Sequence, residues 1–247
     1  MNRFSARFTL GELVLAVVIA GLAPWVAFAQ TPIPIATLDD LNKIGRVTGY
    51  PLNGYYILTA DIDASATASW NNGAGFQPIG NNTTPFTGTL DGQGHAIRNL
   101  TINLTSGSYA GLFGVIGSTG VVQNLRLEGG SVSLSSTSDQ AYAGFLAGYG
   151  SGTIRNCSST GGVNLSCPGQ AFGGGLIGKT YGGSIADAYA TGSVTSSSSS
   201  SSYYSSSYSY AGGLVGANAA TLTNCYATGS VTSSSSSYSY YSSSYSY

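Results

Sequence analysis

The sequence predicts an all-β chain wound into a right-handed parallel β-helix, about one coil per repeat, with a short N-terminal capping helix. Three recurring features carry this expectation. Four segments share a Gly-x-Leu-x-Gly core: Ala110-Gly111-Leu112-Phe113-Gly114, where Ala replaces the opening Gly, Gly144-Phe145-Leu146-Ala147-Gly148, Gly174-Gly175-Leu176-Ile177-Gly178 and Gly212-Gly213-Leu214-Val215-Gly216. A second apolar position follows each core at Val122, Ile154, Ile185 and Leu222, and two residues later come Asn124, Asn156, Asp187 and Asn224. Each unit closes on a Gly-x-Val step, at Gly130-Ser131-Val132, Gly161-Gly162-Val163, Gly192-Ser193-Val194 and Gly229-Ser230-Val231.

The central residues Leu112, Leu146, Leu176 and Leu214 are 34, 30 and 38 residues apart, while the spacings inside each unit barely change. The variation therefore falls in one connection, after the Val, as a stacked coil with a free outer loop requires. Each repeat is read as one coil of three short strands. Strands of adjacent coils lie about 4.8 Å apart, so Asn or Asp recurring at one turn can stack as a hydrogen-bonded ladder.

Composition narrows the class. Charged residues are 7% of the chain and the net charge is −1, which excludes the basic field that nucleic acids or anionic membrane surfaces need. The hydrophobic fraction of 42%, placed at regular Leu, Ile and Val positions, argues against disorder. Ser, Thr, Asn and Gly supply the remaining polarity and suit strands with tight turns and a wet exterior.

In chain order, residues 1–29 read as a Sec-type signal peptide. Arg3 and Arg7 form the basic start, Leu13 to Gly21 the apolar stretch, and Ala27-Phe28-Ala29 the cleavage site, with Glu12 and Pro24 leaving too short a run to span a bilayer. The expected location is secreted or cell-surface, with no membrane insertion after cleavage. Phe8-Thr9-Leu10-Gly11-Glu12 also resembles a type IV prepilin start, although Arg7 stands where that family has Gly or Ala. Residues 30–100 form the cap and first coils. There Thr37-Leu38-Asp39-Asp40 is a capping box opening a helix through Ile44, stopped by Gly45 and placed to shield the first sheet edge. Residues 101–247 are the repeats.

Catalytic chemistry is sparse. His95 has no second His for a zinc site and reads as a turn residue. Asp61 and Asp63 flank Ile62 in a period-2 strand; as a pair they could bind calcium or act as acid and base, and as turn residues they accept local hydrogen bonds. A carbohydrate-active enzyme would need Asp61, Asp63 or Asp91 in a groove with a basic partner such as Arg98. No Gly-x-Ser-x-Gly elbow or phosphate-binding loop is present, and no catalytic residue, metal or cofactor is assigned. Cys157 and Cys225 share a repeat position two coils apart, roughly 10 Å by strand spacing, too far for a direct bridge. A Cys157–Cys167 bridge is geometrically open; buried, inert thiols are the simpler reading.

Residues 189–210 and 226–247 are identical except that Ser201 is matched by Tyr238. Ser207-Tyr208-Ser209-Tyr210 runs straight into Ala211-Gly212-Gly213, which predicts a strand with Tyr208 and Tyr210 on one face, stacked over Tyr245 and Tyr247. The candidate contact surface is Tyr203, Tyr204, Tyr208, Tyr210, Tyr240, Tyr241, Tyr245 and Tyr247, suited to glycans or extracellular proteins. The competing reading is a flexible Ser-rich loop. Tyr247 ends the second block where the first passes into the next coil, so a further coil is expected beyond it.

Gly212-Gly213-Leu214-Val215-Gly216 followed by Leu222-Thr223-Asn224-Cys225-Tyr226-Ala227-Thr228-Gly229-Ser230-Val231 resembles the GLUG repeat of bacterial surface proteins, which also stands beside peptidase domains in IgA1-specific proteases. The stretch from Tyr56 through Asp63, Gly75-Phe76-Gln77-Pro78-Ile79-Gly80 and Phe86 through Ile97 is similar to the leader preceding such repeats in haemagglutinin-like adhesins. Ala186, Ala188 and Ala219-Ala220 depart from the repeat pattern at local turns. The resemblance implies an exported, non-catalytic adhesin or structural scaffold. The alternatives are a β-helix lyase or glycosidase, and a spacer of a larger secreted protease.

Overall fold

The computed structural model describes residues 31–200, 206–237 and 244–247. The signal segment 1–29 and Tyr203, Tyr204, Tyr240 and Tyr241 lie outside the described residues, Thr31 and Pro32 onward excepted.

From Pro32 the chain forms a parallel β-helix. Every strand-to-strand ladder is parallel, and each joins a strand to its equivalent one turn further along the chain. The chain winds past four sheets in a fixed order. One coil runs through Val121–Glu128, Ser131–Ser135, Gln140–Gly144 and Ala147–Gly150. The next runs through Thr153–Ser159, Gly162–Cys167, Gln170–Gly174 and Ile177–Thr180, each strand paired in register with its predecessor. A coil thus carries four strands where the sequence reading expected three. The difference lies in the Gly-x-Leu-x-Gly core, which is a corner joining the third and fourth sheets and not a single strand.

Glycine is needed at that corner because two backbones meet there. A Cβ on Gly144 would lie 2.6 Å from the amide nitrogen of Gly178, and one on Gly148 would lie 2.8 Å from the carbonyl oxygen of Tyr142. No side chain fits such gaps. The same crowding recurs at the next coil, where a Cβ on Gly174 would lie 2.8 Å from the Gly216 nitrogen. The corner is re-entrant, so outward side chains of the third and fourth sheets face each other: Tyr149 meets Tyr142 edge-on at 5.6 Å, and Lys179 Nζ lies 4.4 Å from the Phe172 ring centre.

The variable connection falls where the spacing predicts, between the second and third strands, at residues 136–139 and 168–169. The core is one column per inward position. Leu90, Val122, Ile154 and Ile185 form the first-sheet column, followed by the less covered Leu222. Val132, Val163, Val194 and Val231 form the second-sheet one.

The cap is built as the sequence predicts. Helix α1 spans Leu38–Lys43, one residue shorter than expected because Ile44 is its C-cap, and Gly45 follows with φ +75°. Thr37 Oγ1 accepts from the Asp40 amide at 3.1 Å, and Asp40 Oδ2 accepts from the Ala36 amide at 3.3 Å, closing the capping box. Leu41 and Ile44 are buried beside the first strand, Ile33–Ile35.

Candidate functional site

The Ser/Tyr block is ordered β structure at its described residues. Val194–Ser200 and Ser207–Gly212 are strands of the second and third sheets, which overturns the flexible-loop reading for these residues. Period-2 alternation sends Ser196, Ser198, Ser200, Ser207 and Ser209 inward, where all are buried. The serines were expected on a wet exterior. They can face inward because each small hydroxyl reaches a partner: Ser209 Oγ donates to Ser196 Oγ at 3.0 Å, Ser207 Oγ to the Ser236 carbonyl at 2.9 Å, and Ser198 Oγ to the Gly169 carbonyl.

The same alternation sends Tyr208 and Tyr210 outward. Tyr208 stacks on Tyr245 at 5.4 Å with the planes 8° apart, and Tyr210 on Tyr247 at 5.3 Å and 8°. The Tyr210 column reaches much further than the sequence reading foresaw. It continues to Phe172 at 4.8 Å, then to Tyr142 at 5.1 Å and Tyr109 at 5.2 Å, making a five-ring ladder through five coils. Tyr189 and Tyr226 make a second, two-ring stack on the first sheet at 5.0 Å. Tyr109, Tyr142 and Phe172 were missed although the signal was present, since each precedes a small residue and then the corner glycine. Coil one lacks the residue matching Phe145, which shifts Tyr109 by one position relative to Leu112 and hides the alignment.

Stacking fixes what the ladder offers. Rings nearly parallel and about 5 Å apart cover each other's faces, so the ridge presents ring edges and, at its tyrosines, hydroxyls. Tyr142 and Phe172 are buried, while Tyr245 and Tyr247 are exposed, Tyr247 at 65%. Burial raises the phenol pKa of Tyr109, Tyr142, Tyr149 and Tyr210, so these hydroxyls remain protonated donors well above neutral pH.

The second ladder is the Asn/Asp turn. Asn124, Asn156, Asp187 and Asn224 all take left-handed backbone, with φ from 49° to 53°, a conformation Asn and Asp tolerate best among residues with a Cβ. Asn156 Nδ2 donates to Asn124 Oδ1 at 2.8 Å, and Asn124 Nδ2 donates to Asp91 Oδ1 at 3.0 Å. Asn224 Nδ2 donates to Asp187 Oδ1 at 3.1 Å. Each run ends on a carboxylate, which can only accept.

The carboxylates considered for catalysis are engaged. Asp61 precedes the strand Ile62–Asp63; it accepts from the Ala96 amide at 3.0 Å and from Arg98 at 2.7 Å, and faces His95 Nδ1 at 3.1 Å. These three contacts, the Ala96 amide foremost, hold its pKa well below the ordinary range. Asp63 accepts from the Ser65 amide at 3.0 Å and from Asn99 at 3.3 Å, and its pKa is also lowered, chiefly by Ser65. For Asp91, burial pushes the pKa up, but bonds from Asn124, Gln93 and Gln123 outweigh it and leave it lowered. All three are therefore ionised at neutral pH, and none is held as the proton-bearing acid that glycoside cleavage uses. Arg98 also pairs with Glu128 at 2.8 Å, so the basic partner considered for a groove is spent within a half-exposed ion network.

Among the described residues no group of three or more His, Cys, Asp or Glu is placed to hold a metal ion. Cys157, Cys167 and Cys225 are free, so the Cys157–Cys167 bridge is not formed. Cys157 is buried and its thiol is pushed up to about 12 by burial, which keeps it protonated and unreactive.

A family model for the GLUG motif matches residues 173–195 and 207–232, each match covering a re-entrant corner. The chain carries GLUG repeats. Among relatives, Halomucin of Haloquadratum walsbyi is 43% identical over 156 residues, 61% of this chain and 2% of Halomucin. A protein of Evansella cellulosilytica described as a Gly-rich membrane protein is 38% identical over 130 residues, 52% of this chain and 14% of that protein. The chain thus spans only a small part of either relative. Among solved structures, a Bacteroides ovatus protein described as an immunoglobulin A1 protease superposes with a TM-score of 0.54 at 18% identity, covering 84% of this chain and 75% of that one. That likeness is one of fold.

Proposed function

We propose that the GLUG coils are a non-catalytic, exported surface scaffold, and that the ridge ending in Tyr208, Tyr210, Tyr245 and Tyr247 is its adhesive contact surface toward glycans or extracellular proteins. The observation that carries this reading is the five-ring ladder, which turns one coil position into a continuous row of stacked rings, with hydroxyls at all but Phe172 and with Tyr142 and Phe172 buried in its middle. Aromatic area that is already fixed loses little entropy on contact, and phenol hydroxyls both donate and accept. The names of the relatives, a halomucin and a Gly-rich membrane protein, support a place at the cell envelope. The engagement of Asp61, Asp63 and Asp91 with backbone amides, Arg98 and side-chain amides speaks against the glycosidase alternative, whose acid must carry a proton. The test is a glycan and matrix-protein array on the chain beside the Tyr208→Ala/Tyr210→Ala variant, with far-UV circular dichroism on both. Binding that a folded variant loses supports the ridge; a folded parent that binds nothing favours the spacer reading.

A further inference from the structure

A concavity lies at the cap, at the opposite end of the coil stack from Tyr210 and Tyr247. Helix α1 and the 65–78 segment enclose a depression of about 310 Å³ lined by Asp39, Asn42, Arg46, Trp70, Asn71 and Gln77. Arg46 builds its wall. The guanidinium donates to the carbonyls of Asn42 at 2.9 Å, Ile44 at 3.3 Å and Pro78 at 3.2 Å, and to that of Gln77, and it lies 5.5 Å from the Phe76 ring centre. With four of its five N–H groups engaged, Arg46 is tied to the cap backbone and not aimed at a bound anion.

Trp70 stands against Phe76 at 6.4 Å with the planes 26° apart, and the rest of the indole borders the depression. Its placement depends on unusual backbone. Asn71 and Asn72 follow it with φ of 50° and 57°, two successive non-glycine residues in left-handed conformation, and Asn71 Nδ2 secures the turn on the Gly75 carbonyl at 2.8 Å. Strain of this kind persists where the surroundings impose it, and it is a marker of functional loops. Among the described residues the side chains of Asp39, Asn42 and Gln77 make no hydrogen bond, which leaves one carboxylate and two amides facing the depression.

We propose that this depression binds a single neutral sugar ring. An indole offers an apolar surface to the C–H side of a pyranose, a carboxylate accepts from two neighbouring hydroxyls, and amides both donate and accept around the rim. The Asp39 charge offsets that of Arg46, whose donors are committed to carbonyls, so the site offers no free guanidinium fork to a carboxylated, sulfated or phosphorylated sugar. The site is separate from the aromatic ridge and does not depend on it.

The experiment uses residues 30–247, the chain expected after signal cleavage, in which Trp70 is the only indole. Its emission is followed during titration with methyl glucoside, galactoside, mannoside and N-acetylglucosaminide, and with glucuronate as the anionic counterpart. The expected result is a saturable shift with at least one neutral glycoside and none with glucuronate. Asp39→Asn then weakens the response roughly tenfold or more, while Tyr208→Ala/Tyr210→Ala leaves it unchanged. No saturable shift with any neutral glycoside overturns the site, as does full affinity retained by an Asp39→Asn/Asn42→Ala double variant. Equal binding of glucuronate overturns the neutral class.

Discussion

The coils up to about residue 190 and the Ser/Tyr coils that follow share one frame and differ in what fills it. In the second sheet the inward column reads Leu134, Leu165, Ser196, Ser233, with the registers unbroken. Leu134 and Leu165 are excluded from water as apolar groups, while Ser196 is excluded as a hydrogen-bonded one. Burying a Leu stabilises by about 2 kcal/mol, and a satisfied hydroxyl contributes a net of about 1 kcal/mol or less. The difference teaches that the four-sheet path is held by glycine corners and backbone ladders, and that the filling decides how firmly each coil is held and how wide it is. Uniform Ser strands also specify register weakly, since a slip by two residues returns the same side chains.

The sharpest way to break the comparison is to cut the apolar column. Leu165→Ala is expected to cost about 2–5 kcal/mol in denaturant unfolding, more than Ser196→Ala, which leaves the buried Ser209 hydroxyl without its acceptor at about 1–3 kcal/mol. Equal costs at the two sites would mean the filling does not matter. Extending the apolar column upward should fail as well. Ser196 and Ser209 meet across the interior at 3.0 Å, so Ser196→Leu overpacks a narrow coil and is expected to lose about 1–3 kcal/mol by the same measurement. A gain in stability would show that the Ser coil has spare volume.

Asp91 offers a test on the turn ladder, where both regions use the same device. Asp91→Ala leaves Asn124 and Gln123 without their acceptor and is expected to cost about 1–3 kcal/mol. Because the folded-state pKa of Asp91 is lowered, its contribution is present above the unfolded pKa of about 4 and is lost as pH falls through the folded value. Asp61 and Asp63 titrate with the same sign, so Asp91→Asn should flatten the acid limb of stability against pH only in part. The smallest effect belongs to the serine pair. Removing both hydroxyls, Ser196→Ala/Ser209→Ala, leaves no orphaned partner between them and is expected to lie within about 1 kcal/mol of the parent. Faster amide exchange across 194–200 than across 162–167 would confirm that the Ser coil is the looser one.

Much of this was legible in the sequence, and the misses have physical causes. The coil period, the variable connection, the Asn/Asp turn and the capping box depend on residue types whose backbone preferences are strong, and each appears where its spacing places it. The fourth strand was hidden because glycines at a re-entrant corner read like glycines at any turn; only the opposing backbone, Gly178 against Gly144, reveals why both must lack a Cβ. Buried serines were hidden because hydroxyls ordinarily face water, and their partners are carbonyls of other coils that local sequence does not name. The ring ladder was half legible: Tyr208 and Tyr210 alternate visibly, but Tyr109, Tyr142 and Phe172 join them only through the register of three separate repeats. Trp70 gave no periodic signal at all, since its position rests on the irregular 65–78 segment.

The polarity of the side-chain amide ladder sets a grammar for lengthening the molecule. An Asn can be inserted anywhere in a run, because it passes a proton donor to one neighbour and an oxygen to the other. An Asp can only close a sentence, since it has nothing to pass on. A whole coil copied with its Asn can therefore be spliced into the stack without a new kind of contact, whereas two adjacent coils that both carry Asp would set two acceptors, and two negative charges, against each other. The near-identical 189–210 and 226–247 segments sit on either side of such a permitted junction, Asp187 followed by Asn224. Growth by duplication is thus unpunished at this site, and it is the order of two residue types, not the size of the core, that limits which copies can be neighbours.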